Sequence, residues 1–79
     1  MDMLIGEVSR NSAERIRVST NSYKGYRFLD IRVYVAGDNG EWVPTKKGVT
    51  VPPDKVEELK KLLQEGSAKL NRDEQKNVE

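Results

Sequence analysis

The chain has 79 residues and contains neither cysteine nor histidine. Without cysteine no disulfide can form, and without either residue the usual zinc sites and the Ser-His and Cys-His nucleophile pairs of hydrolases cannot be built. Gly37, Gly40 and Gly48 lack the spacing of a P-loop or a dinucleotide fingerprint. We therefore expect a binding protein without catalytic residues, cofactor or metal ion.

Long apolar runs are absent as well. No run approaches the roughly 20 residues that a membrane span requires, and residues 1–6 lack the basic and apolar regions of a signal peptide. We expect a cytoplasmic protein, nucleoid-associated if bacterial, without a membrane partner.

The length suits one domain, which we place at residues 1–70, followed by a polar, frayed tail at residues 71–79.

The strongest structural signal is an alternation of apolar and polar residues between positions 15 and 35, which is typical of strands. One face of the segment 26–35 carries Leu29, Ile31, Val33 and Val35, and is a typical core face. The other face carries Tyr26, Phe28, Asp30, Arg32 and Tyr34. Rings set between charges suit the bases and phosphates of a single strand. The pattern alone slightly favours packing on a helix or a partner subunit instead.

Turn-forming residues separate the other predicted strands. Residues 21–25 predict a five-residue hairpin loop, and residues 46–48 predict a basic turn. Further strands are expected at residues 3–8, at 41–43 closed by a proline, and at 49–51.

A helix is expected to begin at Pro52 and Pro53, since proline is accepted in the first helical turn. Gly66 is expected to end or kink this helix. Its apolar stripe consists of Val56, Leu59, Leu62 and Leu63.

The net charge of +1 is unevenly distributed along the chain. Residues 15–51 hold seven cations and three acids, whereas residues 52–79 hold six cations and seven acids. The positive charge therefore belongs to the predicted strands, which suggests a polyanionic partner.

An ordered set of short motifs resembles the positive cofactor four family of transcriptional coactivators. The set comprises Tyr23-Lys24-Gly25, Asp30-Ile31-Arg32, Tyr34, Gly40-Glu41, Pro44, Lys47-Gly48-Val49-Thr50-Val51 and Pro53. The resemblance implies an α+β fold, with a curved four-stranded antiparallel sheet followed by one amphipathic helix, and a homodimer. It also implies binding of single-stranded or melted DNA, in transcription regulation or in DNA replication and repair.

The resemblance also implies roles for individual residues. Tyr23 stands where the family has a stacking aromatic, and Lys24 and Arg32 stand at phosphate-contacting positions. The family often has tryptophan at the position of Val35, and either Tyr26 or Trp42 is expected to replace that aromatic residue here. Together with the charge pattern, the predicted nucleic-acid-binding residues are Arg15, Arg17, Tyr23, Lys24, Tyr26, Arg32, Trp42, Lys46 and Lys47.

Each of these assignments has a structural alternative. The two lysines of the basic turn could be a solvated turn, Arg32 could form an ion pair with Asp30, and Trp42 could cap the core or cover a subunit boundary. The alternative function is a non-catalytic module that docks a peptide or a polymerase subunit on its aromatic face. The sequence does not decide between DNA and RNA, or which transcription or replication machinery is a partner.

Overall fold

The computed structural model describes the backbone of residues 3–76 and the side chains of residues 3–72. Four strands, β1 (Met3–Ser9), β2 (Glu14–Tyr23), β3 (Tyr26–Ala36) and β4 (Trp42–Val51), form one antiparallel sheet in the order β1-β2-β3-β4. A 3₁₀ turn (Pro53–Lys55) leads into the helix α1 (Val56–Lys76). The predicted α+β class, with a four-stranded antiparallel sheet followed by one helix, is confirmed.

The hairpin between β2 and β3 is tighter than the sequence predicted. Tyr23 pairs with Tyr26, so Lys24 and Gly25 form a two-residue turn. Both have positive φ, 52° and 84°, as a type I′ turn requires, and this turn matches the right-handed twist of the strands. The predicted five-residue loop is wrong, and both tyrosines lie at strand ends on one face.

Strand β4 combines two predicted strands and the predicted basic turn. Pro44 pairs with Tyr34 and Gly48 pairs with Arg32, so residues 45–47 together oppose Val33. The basic turn is therefore a bulge inside a strand, and the prediction of a turn is wrong. A bulge and a proline are both tolerated here because β4 is an edge strand of this sheet.

The bend between β1 and β2 is held by Asn11. Its Oδ1 accepts a 2.9 Å hydrogen bond from the Ala13 N–H, and its Nδ2 donates a 2.8 Å hydrogen bond to Glu14 Oε1. The resulting register places Glu7 directly opposite Arg17.

The first turns of helix α1 lie against the face of the sheet that the sequence predicted to be the core. An apolar cleft between them is lined by Val18, Leu29 and Ile31 from the sheet and by Val56, Leu59 and Leu63 from the helix. Of the described residues, only Val51 and Asp30 are buried, with 6% and 8% of their surface exposed. The core of a single chain is therefore thin.

Helix α1 ends at Lys76 and does not end at Gly66. A helical glycine costs about 1 kcal/mol relative to alanine, which does not by itself terminate a helix. The division into a domain and a tail at residue 70 stays a prediction, and residues 77–79 of that tail lie outside the described residues. Within the described residues, no helix combines the length and apolar composition of a membrane span.

Candidate nucleic-acid interface

The sheet face opposite α1, here called the polar face, collects most of the predicted binding residues. One row across the four strands consists of Glu7 opposite Arg17, Arg17 opposite Arg32, and Arg32 opposite Gly48. In a neighbouring row, Arg15 is opposite Tyr34. Trp42 pairs with Ala36 and lies on this face, as the alternation predicted. Predicted binding residues on the polar face are Arg15, Arg17, Tyr23, Tyr26, Arg32 and Trp42.

Two arginines lie on two aromatic rings at the centre of the polar face. The Arg15 guanidinium carbon is 4.6 Å from the centroid of the Trp42 ring, and that of Arg17 is 4.7 Å from the Tyr34 ring. Cation–π contacts at partly exposed sites contribute about 0.5–1 kcal/mol each. These four residues, with Glu7, form what we call the central cluster.

Glu7 is a functional candidate that the sequence analysis missed. Arg17 Nε donates a 2.7 Å hydrogen bond to Glu7 Oε1, and Arg15 Nη1 donates to Oε2. The hydrogen bond from Arg17 is the largest cause of a lowered pKa of the Glu7 carboxyl, Arg15 adds to it, and partial desolvation opposes it. Glu7 precedes residues 15–51, over which the charges were counted. It comes beside the arginines only because β1 pairs with β2.

Asp30 and Arg32 form an ion pair along one strand. Arg32 donates from Nη2 to Asp30 Oδ1 at 2.9 Å and from Nε to Oδ2 at 3.2 Å. The Asp30 residue is only 8% exposed. The hydrogen bond to Asp30 is the main cause of a raised pKa of Arg32. The alternative interpretation of Arg32, an ion pair with Asp30, is therefore confirmed, and the ion pair is bidentate and partly buried.

Arg32 also holds the bulge of β4. Its Nη1 donates a 3.0 Å hydrogen bond to the carbonyl oxygen of Thr45. The Thr45 hydroxyl donates to the Val33 carbonyl at 2.8 Å and accepts from the Lys47 N–H at 3.2 Å. Arg32 thus acts as a positioning residue for the two lysines of the bulge, Lys46 and Lys47, whose side chains are exposed.

The β2–β3 turn carries a second exposed group, here called the tip. Tyr23 is 66% exposed and Tyr26 is 78% exposed. Lys24 Nζ lies 5.3 Å from the centroid of the Tyr23 ring. Arg17 and Tyr23 are six steps apart along β2, so the tip lies about 20 Å from the central cluster, at roughly 3.3 Å per residue.

The predicted site residues thus fall into three groups: the tip, the central cluster and the bulge. Within residues 3–72, no group of three or more acidic side chains is placed to hold a metal ion. Comparison with known families identifies the family of the chain. The family model of Transcriptional Coactivator p15 (PC4) matches residues 10–62.

The chain belongs to the p15 (PC4) family. Two crystal forms of a PC4 homolog from Burkholderia pseudomallei K96243 are similar in structure, each with a TM-score of 0.79. The orthorhombic form is 31% identical in sequence, with 82% of this chain and 88% of that chain covered, and the tetragonal form is 30% identical, with 85% and 98% covered.

A phage member of the p15 family is also similar. It is the bacteriophage T5 homolog of the eukaryotic coactivator PC4, implicated in recombination-dependent DNA replication. The TM-score is 0.60 and the identity 26%, with 92% of this chain and 81% of that chain covered. No curated protein sequence matches the chain significantly.

Proposed function

We propose that this member of the p15 family is a non-catalytic protein that binds single-stranded DNA along its polar face. The observation that carries the proposal is the segregation of the sheet: one face is apolar and meets the first turns of α1, and the other carries the exposed rings of Tyr23 and Tyr26 together with three arginines. Membership of the family implies DNA binding. The T5 homolog is implicated in recombination-dependent replication, and we propose a role in DNA replication, repair or transcription regulation.

Phosphates are held first by the lysines of the bulge. Within residues 3–72, Lys46 and Lys47 form no ion pair. Arg32, in contrast, has its charge compensated by Asp30. Exposed and uncompensated cations are the groups that neutralise phosphates without reading the sequence. Lys24 of the tip supplies a further cation.

Bases are held by stacking on exposed rings. Tyr23 and Tyr26 lie directly opposite each other at the end of the hairpin, so their rings can receive successive bases. A base stacked on an aromatic side chain contributes about 1–3 kcal/mol. Trp42 of the central cluster supplies a third ring, one side of which is covered by Arg15.

A second copy of the chain covers the apolar surface that a single chain leaves exposed. A cleft beside α1 is lined by Val49 and Val51 of the sheet and by Leu59 and Leu62 of the helix, and Leu62 is 58% exposed. Exposed apolar side chains grouped in this way on a small domain are typical of a surface that binds another protein chain. We propose a homodimer with two-fold symmetry.

Fluorescence anisotropy with labelled oligo-dT tests the proposed function. Unlabelled oligo-dT and a mixed-sequence single strand should compete equally well, and a duplex of the same length should compete much more weakly. Oligo-rU in the same assay decides between DNA and RNA. If no single strand binds, the proposal fails and the peptide-docking alternative is favoured.

A further inference from the structure

The central cluster contains an anion on a face that is proposed to bind polyanions. Glu7 lies opposite Arg17 in the β1–β2 pairing, and Arg15 is two residues away on the same face. Each carboxylate oxygen of Glu7 accepts a hydrogen bond from a different arginine. In the free protein, one carboxylate therefore compensates half of the charge of two arginines.

The same arginines are held flat against aromatic rings. Arg15 lies on Trp42 and Arg17 lies on Tyr34, so each guanidinium has a ring on its face and a carboxylate at its edge. In the free protein, each of the two rings is therefore in contact with an arginine of the same cluster. A phosphate that replaced Glu7 would find two guanidinium edges already aligned.

Glu7 differs from Asp30, which also pairs with an arginine of the polar face. Arg17 and Arg32 are directly opposite each other, an arrangement that destabilises a sheet unless each charge is compensated. Asp30 is buried and bonded twice to one arginine that also holds the bulge. Glu7 lies on an edge strand, its side chain is 27% exposed, and its oxygens are divided between two partners. Replacing Asp30 would release the arginine that holds the bulge, whereas neither arginine bonded to Glu7 contacts the bulge.

We propose that Glu7 is an internal counter-anion of the nucleic-acid interface, which a DNA phosphate displaces from Arg15 and Arg17 on binding. This inference rests on the proposed function. Glu7 stabilises the free protein and lowers its affinity for polyanions, because the arginines exchange one anion for another. The two arginines of the central cluster therefore neutralise about one phosphate, and not two, because Glu7 already compensates one of their charges.

The test is the salt dependence of oligo-dT binding by Glu7→Gln, which preserves size and removes the charge. Glu65→Gln is the matched control, because it makes the same change on exposed α1, across the sheet from the polar face. One additional neutralised phosphate steepens the slope of log K against log salt by about 0.7, which corresponds to about fivefold tighter binding at 0.1 M salt. Glu65→Gln should bind like the wild type.

Several outcomes would overturn the inference. Weaker binding by Glu7→Gln would mean that Glu7 aligns the arginines for DNA, and an equal gain in both variants would mean a general effect of net charge. Glu7→Thr, which suits a strand, is measured in parallel and must give the same change. If neither the wild type nor the variants bind, the proposed function fails together with the inference. If only the Glu7 variants bind, the proposed function of the wild type fails and Glu7 remains the anion that blocks the face.

Discussion

The Arg32 side chain lies across Gly48 on the neighbouring strand. A β-carbon on Gly48 would be 2.9 Å from Arg32 Cζ, 3.0 Å from its Cα and 2.7 Å from the Ile31 carbonyl oxygen. Two of the motifs, Asp-Ile-Arg and Lys-Gly, thus meet in space: Asp30 orients Arg32, and the glycine makes room for it. What these motifs build is the bulge that presents Lys46 and Lys47.

Gly48→Ala should therefore destabilise the fold. The contacts on the added methyl group are mostly backbone atoms and have to shift, so we expect a loss of about 1–3 kcal/mol in the free energy of unfolding. Urea denaturation followed by circular dichroism measures it. Gly6→Ala is the control, because a β-carbon there would have no heavy atom within 4 Å. Equal stability of both variants would contradict the close approach.

Asp30→Asn should also destabilise the protein, because Arg32 would lose its charged partner. Breaking a buried ion pair costs about 3–5 kcal/mol, and we expect about 2–3 kcal/mol here because Arg32 keeps 24% of its side chain exposed. Lys61→Ala on exposed α1 serves as the surface control, with less than about 0.5 kcal/mol expected. A loss no greater than that of the control would show that the ion pair is dispensable.

The Glu7 ion pairs should make stability dependent on pH in the acid range. The pKa of Glu7 in the folded protein lies below its ordinary value of 4.5. Its contribution is therefore complete above the unfolded pKa and disappears as the pH falls through the folded pKa. The difference in unfolding free energy between the wild type and Glu7→Gln should be constant near neutral pH and shrink below about pH 4.5. A difference independent of pH would contradict the pairing.

Trp42 allows DNA to be followed directly, since it is the only tryptophan. Titration with oligo-dT should quench its fluorescence, and Trp42→Ala should weaken binding about tenfold or more, as expected for the loss of a stacked base. Val43→Ala, on the opposite face of the same strand, should bind normally. Unchanged fluorescence at saturation would assign Trp42 a structural role only.

The proposed homodimer can be tested by sedimentation. The wild type should sediment at twice the chain mass of 9.0 kDa at micromolar concentration, and Leu62→Asp should shift it towards the monomer. Leu4→Asp is the control, because Leu4 is equally apolar and exposed but pairs with Ser19 on the polar face. A wild-type monomer would contradict the proposal.

The strands and their faces could be predicted because alternation is a local property of the sequence. The bulge could not be predicted, because Pro44 and the Lys-Lys-Gly run are typical of a turn. They are accommodated within a strand here only because β4 is an edge strand. The tight hairpin was missed because its turn requires a positive φ at Lys24, which is uncommon outside glycine. Glu7 was missed because its position depends on the register of β1, which is set by the bend at Asn11 and by a register shift between Leu4 and Gly6.

The central claim, phosphate binding by the uncompensated lysines of the bulge, is tested most directly by the salt dependence of oligo-dT binding. The double variant Lys46→Ala/Lys47→Ala should flatten the slope of log K against log salt by about 1.4, at roughly 0.7 per phosphate, and weaken binding equally for all single-stranded sequences. Lys61→Ala/Lys69→Ala, with the same loss of charge on α1, should keep the wild-type slope. A slope unchanged by the first pair, or flattened equally by both, would contradict the account.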